Sequence, residues 1–266
     1  MSSRASSFEL ALMTWPQISA LQSECSMILL PLGATEQHGP ALPISTDTII
    51  ADALCREASR RTGVPFAPAL PLTSSGAHTS KWPGTFSMAP LTFIQALVQW
   101  ARWAEATGWK KILFVNAHAG NHAPIRVAVD QIRLELLGKI QVGFVDSFTL
   151  TPGIAARFTS DANDLHANKA ECDLILRLAP ELVDTSAFPQ ADDPDRTEGL
   201  VFSYPVSQTS LNGTTGKPSE GCAEDGCELF EMMCEALTRI IRSGLHENPP
   251  LPESAWRGSP DHFFSL

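Results

Sequence analysis

Residues 27–40 have the sequence MILLPLGATEQHGP, and they decide the fold because they join an apolar run to a polar turn. A short apolar run that ends at a glycine is typical of a buried strand. Glu36 and His38 lie two residues apart in the turn, so an extended backbone would point both side chains the same way. Asp47 follows at the start of a predicted helix. The stretch predicts a strand whose carboxyl end carries candidate ligands, although Glu-x-His also fits a surface loop and Asp47 also fits a helix cap.

Two further apolar runs extend this pattern along the chain. Ile112–Val115 stops at Asn116, and Ile140–Val145 is the third predicted strand. Apolar residues at helical spacing follow the runs. The helices are predicted to begin at Thr46 and to cover residues 91–107, 125–136, 167–178 and 229–240. Strands that alternate with helices predict an α/β fold with a mostly parallel sheet, in which ligands bind at the carboxyl ends of the strands.

The composition sets limits on the class of protein. The chain has 266 residues, 44% of them hydrophobic, so it can bury a substantial core, and we expect one domain over residues 1–266. Its net charge of -10 argues against nucleic-acid binding, which needs clustered Lys and Arg. No apolar run is long enough to span a membrane, and the N-terminus lacks the apolar core of a signal peptide. We therefore expect a cytoplasmic protein with no membrane partner.

Two more polar clusters contain candidate ligands. The second strand runs into residues 116–121, NAHAGN, where small residues allow a tight turn and the close approach of a ligand to His118. The segment DANDLHANKAE, residues 161–171, places His166 and Glu171 across the start of a helix. Asp164 can orient His166 by accepting its second ring proton, or it can belong to an acidic cap of that helix.

Taken together, the clusters predict a metal centre. Three carboxylates and two imidazoles form a mixed set that suits two divalent ions such as zinc or manganese. These residues are Glu36, His38, Asp47, His118 and Glu171. Three carboxylates cancel most of the charge of two dications, and one carboxylate can bridge them.

The order of the motifs resembles the creatininase family of metal-dependent amidohydrolases. The resemblance covers about residues 27 to 243, and its first motif is the most specific. The matching pieces are E-x-H-G-x-x-L-P-x-x-x-D at residues 36–47, Pro83-Gly84-Thr85, N-x-H-x-x-N at 116–121, D-x-H-A-x-x-x-E at 164–171 and the glycine-rich segment 212–218. The resemblance implies a three-layer α/β/α fold with a binuclear metal centre and, commonly, a homohexamer.

The resemblance also implies a role for each site residue. Glu36 and His118 would hold one ion, His38 and Glu171 the other, and Asp47 would bridge both. His166 matches the catalytic histidine of the family. A hydroxide shared by two dications would attack an amide carbonyl, and His166 would stabilise the oxyanion and pass a proton to the leaving nitrogen.

The sequence departs from creatininase itself at several positions. Ala119 and Gly120, which we expect to line the substrate pocket, replace an aromatic residue and a glutamate, which disfavours creatinine as the substrate. Asn168 and Lys169 replace the usual Gly-Glu, so Lys169 either binds a substrate carboxylate or is an ordinary exposed lysine. His78 either lines the pocket or has a structural role.

The main hypothesis is a metal-dependent amidohydrolase that cleaves the C–N bond of a small cyclic or linear amide. The first alternative is a peptidase or deformylase of the same family that acts on a modified peptide or a formamide. The second alternative is a non-catalytic, metal-binding scaffold, against which the intact ligand set and His166 argue.

Overall fold

The three predicted strands form one parallel sheet. The computed structural model describes residues 8–79 and 81–255, and the remaining residues of the predicted domain 1–266 lie outside this part. β1 (Met27–Leu32) pairs with β2 (Lys111–Asn116), and β2 pairs with β3 (Gln141–Asp146). Leu32 is in register with Asn116, and Asn116 with Asp146. All three strands therefore end at one edge of the sheet, as the prediction of a parallel sheet requires.

Helices connect and cover the strands. The α-helices of the described part are α1 (Trp15–Glu24), α2 (Thr46–Thr62), α3 (Pro90–Ala106), α4 (His122–Glu135), α5 (Pro152–Phe158), α6 (Lys169–Leu178), α7 (Val206–Thr209) and α8 (Ala223–His246). Each helix predicted from apolar spacing is present. In the described segments, no helix combines the length and the apolar character needed to cross a membrane.

The sheet separates two apolar cores. Met27 and Leu29 of β1 pack on one face, in a core that includes buried residues of α2, α6 and α8. Ile28 and Leu30 pack on the other face, in a core that includes α3 and α4. Alternate side chains of a strand point to opposite faces, so β1 supplies both cores. Each fully buried Leu contributes about 1.5–3 kcal/mol. The three-layer α/β/α arrangement is confirmed.

Two local features bring the starts of α2 and α6, which carry Asp47 and Glu171, to the carboxyl edge of the sheet. A Cβ at Gly33 would overlap the backbone of Thr48, so this glycine permits the close contact between the turn after β1 and the start of α2. The predicted helix 167–178 begins two residues late, at Lys169. Ala167 has a left-handed φ of 50°, and the Asn168 side chain caps α6 by accepting a hydrogen bond from the N–H of Glu171. α6 therefore begins at Lys169 because the side chain of the preceding residue, Asn168, caps it.

Candidate metal centre

The five predicted ligands converge at the carboxyl edge of the sheet. Glu36, Asp47 and His118 form one group, and His38, Asp47 and Glu171 form another. Within each group, the candidate ligand atoms lie within 4.8 Å of one another, and all five residues are buried. Asp47 belongs to both groups, which is the arrangement that the family resemblance implies.

The turn after β1 orients His38. Its Nδ1 lies 3.0 Å from the carbonyl oxygen of Glu36, which can only accept, so Nδ1 carries the proton. The other ring nitrogen, Nε2, then faces Asp47 Oδ1 at 3.2 Å and Glu171 Oε2 at 3.9 Å. The backbone N–H of Gln37 donates to Thr85 Oγ1 at 2.9 Å, which gives the Pro-Gly-Thr motif a role in holding this turn.

The turn after β2 orients His118. Its Nε2 lies 3.0 Å from the carbonyl oxygen of Ser74, so the proton is on Nε2 and Nδ1 faces Asp47 Oδ2 at 3.3 Å. Asn116 fixes the backbone of His118 from both sides, by accepting from its N–H and donating to its carbonyl oxygen. The Asn121 side chain donates to the carbonyl oxygen of Gly33 at 3.0 Å and so links the two turns. The two asparagines of the N-x-H-x-x-N motif are therefore structural.

The carboxylates of the site lack enough donors. Four of their oxygens are buried and make no well-aligned hydrogen bond, and the charged groups nearest to them are imidazoles: Glu36 Oε1, Glu36 Oε2, Asp47 Oδ2 and Glu171 Oε2. Buried carboxylate oxygens are costly unless a charge or a donor compensates them. Carboxylates and imidazoles together are the ligands that zinc and manganese take. These residues therefore fit divalent cations.

The charged groups of the site also shift one another's pKa. Burial raises the pKa of Glu36, but His118 and two further imidazoles lower it to about 2. Burial lowers the pKa of His38, but the carboxylates around it, Asp47 first, raise it to about 10. In the same way the carboxylates of Glu36 and Asp47 raise the pKa of His118 to about 9. A cation that binds to these imidazoles must displace their protons, so the affinity of the site for the cation rises with pH.

A cavity of about 230 Å³ opens over the ligands. Its lining residues are Glu36, Asp47, Ala77, His78, His118, Ala119, Gly120, Asp164, Leu165, His166, Glu171, Tyr204 and Val206. A Cβ at Gly120 would lie 2.5 Å from His118 Nε2 and 2.9 Å from the carbonyl oxygen of Ser74, so a side chain there would displace the ligand. Of the predicted substrate-binding residues, His78, Ala119 and Gly120 line this cavity.

The surroundings of His166 differ from the expected ones. Its Nδ1 lies 3.1 Å from Glu36 Oε1, and its Nε2 lies 2.9 Å from the side-chain nitrogen of Gln37. Asp164 lines the cavity, but these contacts take the place of the expected hydrogen bond from His166 to Asp164. Burial, with the nearby carboxylate of Asp195, raises the pKa of Asp164. Its predicted role as the residue that orients His166 therefore needs correction.

Lys169 lies away from the cavity. Its Nζ contacts Asp173 Oδ2 at 2.8 Å and Asp225 Oδ2 at 2.6 Å. Asp173 is one helical turn farther along α6, and Asp225 lies on α8. The expectation that Lys169 binds a substrate carboxylate is corrected, because two carboxylates of the protein already hold its ammonium group.

Several residues at the site were missed by the sequence analysis. Gln37 lies between two predicted ligands in the first motif, so its position was a usable signal. Tyr204 and Val206 also line the cavity, but they lie in a segment without a motif that reaches the site only through the fold. His122 lies outside the cavity, where its Nδ1 contacts Asp146 Oδ2 at 2.6 Å.

Comparisons with known proteins agree with this arrangement. The family model described as creatininase (creatinine amidohydrolase) matches residues 11–241. The mycofactocin precursor peptide peptidase of Mycobacterium ulcerans is 33% identical over 237 residues, which cover 84% of this chain and 88% of that protein. The creatinine amidohydrolase of Pseudomonas putida is 25% identical over 256 residues, which cover 90% of this chain and 96% of that protein.

Solved structures of creatininase share the fold. A mutant creatininase of the Zn-Zn type superposes with a TM-score of 0.80 at 22% identity, over 91% of this chain and 100% of that chain. A manganese form superposes with a TM-score of 0.79 at 22% identity, with the same coverage. Creatininase structures thus include zinc and manganese forms.

Proposed function

The chain belongs to the creatininase family, and we propose that it is a binuclear metal-dependent amidohydrolase that cleaves the C–N bond of a small cyclic or linear amide. The observation that carries the proposal is the group of four buried carboxylate oxygens on Glu36, Asp47 and Glu171 that make no well-aligned hydrogen bond, beside the inward-facing nitrogens of His38 and His118. A non-catalytic scaffold would not need a cavity that leads to these groups.

Each ligand has a position that suits its proposed role. Glu36 and His118 would hold one ion, and His38 and Glu171 the other. Asp47 contributes to both groups and would bridge the ions. When bound, two divalent ions would supply Lewis acidity and lower the pKa of a water molecule toward neutrality. Zinc and manganese are the proposed metals.

The cavity residues would position and polarise the substrate. His166 and His78 both lie beside Glu36, with their nearest nitrogens 3.1 and 3.4 Å from Oε1. Either ring can reach a carbonyl oxygen placed next to the ligands and stabilise the charge that develops on it. Asp164 lies at the same cavity and is available to the N–H groups of an amide substrate.

A second candidate function is a peptidase that acts on a short modified peptide. The specific observation in its favour is the identity of 33% with a relative named as a peptide peptidase, against 25% with the creatinine amidohydrolase. Ala119 and Gly120 leave one wall of the cavity without bulky side chains, and Tyr204 at the same cavity is half exposed. These features suit a substrate larger than creatinine, which we expect not to be turned over.

The test is a substrate panel measured with and without metal. The purified protein is stripped with a chelator, reloaded with zinc or manganese, and assayed on cyclic amides, formamides, short peptides and creatinine. We expect hydrolysis of at least one amide class, loss of activity on stripping and recovery on reloading. Glu36→Gln should lose activity, whereas Glu57→Gln, whose carboxylate pairs with Arg60 and Arg61 rather than with the site, should keep it. Activity that survives both chelation and Glu36→Gln would overturn the proposal.

The assembly is a further part of the proposal. By likeness to the family we propose a cytoplasmic homohexamer. Light scattering of the purified protein at working concentration tests it, and a monomer would contradict it.

A further inference from the structure

We infer that Gln37 is a positioning residue that fixes which nitrogens of His166 and His78 carry a proton, so that both rings offer hydrogen-bond donors to the site. This role rests on the proposed function, because the two rings can act as donors to a substrate only if the site binds one. Its structural basis is the side-chain amide of Gln37, which is buried between the two rings. The amide nitrogen lies 2.9 Å from His166 Nε2 and 3.2 Å from His78 Nδ1.

Backbone groups fix the orientation of this amide. Gln37 Oε1 accepts a hydrogen bond from the N–H of Gly39 at 3.0 Å. Gln37 Nε2 donates to the carbonyl oxygen of Gly213 at 3.0 Å. A backbone N–H can only donate and a carbonyl oxygen can only accept, so flipping the amide would break both bonds. The side chain therefore presents its NH₂ group, and not its oxygen, to the two histidines.

The glycine-rich segment 212–218 explains why the amide cannot move away. Gly213 has a φ of +92°, and a Cβ there would overlap Gln37 Oε1. A Cβ at Gly39 would likewise overlap Thr214 Oγ1. The same segment holds His166 directly, because the N–H of Thr215 donates to the carbonyl oxygen of His166 at 2.9 Å. The motif thus packs against both the amide and the ring that it orients.

Hydrogen counting then assigns the protons. The NH₂ group of Gln37 has two hydrogens; one goes to Gly213, and the other faces the two imidazoles. An amide nitrogen accepts no hydrogen bond, so neither facing ring nitrogen carries a proton, and the two share the one remaining hydrogen. His166 therefore carries its proton on Nδ1, and His78 carries its proton on Nε2. These are the nitrogens that lie 3.1 and 3.4 Å from Glu36 Oε1. Both N–H groups consequently point toward the metal ligands.

This assignment refines the role of His166. A ring that presents only an N–H to the site stabilises an oxyanion as a donor, and no proton transfer through Nε2 is required. A neutral imidazole is known to serve in this way in another enzyme. Gln37 acts through His166 and His78 and need not touch the substrate.

The experiment measures the protons directly. Imidazole ¹⁵N resonances are recorded on the full chain, both stripped of metal and loaded with zinc, and His166→Gln assigns the resonances of His166. We expect His166 Nε2 to be unprotonated and Nδ1 protonated in the wild type. Gln37→Glu replaces the donor with an acceptor of the same shape, so Nε2 should become protonated. Gln99→Glu, an exposed residue of α3, adds the same charge and should change neither resonance.

Two results would overturn the inference: a protonated Nε2 in the wild type, or His166 resonances that Gln37→Glu leaves unchanged. Gly213→Ala is the second variant, and its displacement of the amide should also release Nε2. On a substrate found with the panel, Gln37→Glu should lower kcat by roughly 100-fold with little change in KM. The ¹⁵N resonances show where the protons of His166 lie even if no amide is hydrolysed. A failure of the proton assignment can therefore be told apart from a failure of the proposed function.

Discussion

Two clusters of metal-type ligands lie in the part of the chain that the structure describes, and they differ in what neutralises their carboxylates. Asp173, Cys222 and Asp225 at the start of α6 and α8 place ligand atoms as close together as those of the candidate metal centre. There the ammonium of Lys169 contacts both aspartates. The N–H of Cys222 also donates to Asp173 at 2.7 Å. The candidate metal centre has no such lysine among the described residues.

The comparison teaches that the number of ligands does not identify a metal site. An acidic cluster whose charge is already paired has little to gain from a cation. A cluster whose buried carboxylates face only imidazoles, which can give up their protons, is stabilised when a cation binds. We call the first the lysine-paired cluster and the second the candidate metal centre.

The largest effect is expected from the residue shared by the two ligand groups. Asp47→Asn removes the charge that both proposed ions would need, so kcat/KM on a substrate found with the panel should fall at least about 100-fold. Asp225→Asn, in the lysine-paired cluster, is the matched control and should retain most of the activity. Equal losses in the two variants would remove the distinction between the clusters.

A smaller effect is expected on folding stability when the lysine is removed. Lys169→Met leaves the buried carboxylate of Asp173 without its ammonium partner. The free energy of unfolding should fall by about 1–2 kcal/mol, less than for a fully buried pair because Lys169 is partly exposed. Urea unfolding of the metal-loaded protein measures it. Lys217→Met, which breaks an exposed pair with Glu220, should show no measurable change. A Lys169→Met variant as stable as the wild type would indicate that the pairing contributes nothing.

The last expected effect is the pH dependence of the stability of the metal-stripped protein. The pKa values of His38 and His118 are raised to about 10 and about 9, above the value of about 6.5 for an unfolded histidine. Their contribution to stability is complete below a pH of about 6.5 and is lost as the pH rises through about 9 and about 10. The pKa of Lys169 is also raised, by its two aspartates, so the lysine-paired cluster keeps its charge through most of that range.

Thermal unfolding between about pH 6 and pH 10 measures this dependence. The stripped protein should become less stable as the pH rises, whereas the stabilisation by added zinc should increase. A stripped protein whose stability rises over the same range would contradict the assigned direction of the two shifts.

The sequence predicted the convergence of the candidate ligands better than it predicted their surroundings, for a physical reason. Both ends of β1 were predicted correctly, because an apolar run that ends at a glycine marks where a buried strand stops. The ligands followed, because parallel strands bring their carboxyl ends together. Lys169 was misplaced because its partner Asp225 lies 56 positions away, on another helix. The direction of the Asp164 side chain depends on a loop that spacing does not describe, and Tyr204 reaches the cavity only through tertiary structure.

The metal content of the protein tests the central claim most directly. The full chain is stripped, titrated with zinc, dialysed and analysed for bound metal, beside Asp47→Asn and Asp225→Asn. We predict two ions per chain, one for each ligand group, in the wild type and in Asp225→Asn, and a clear loss in Asp47→Asn. No bound zinc in the wild type, or a stoichiometry that Asp47→Asn leaves unchanged while Asp225→Asn lowers it, would contradict the account.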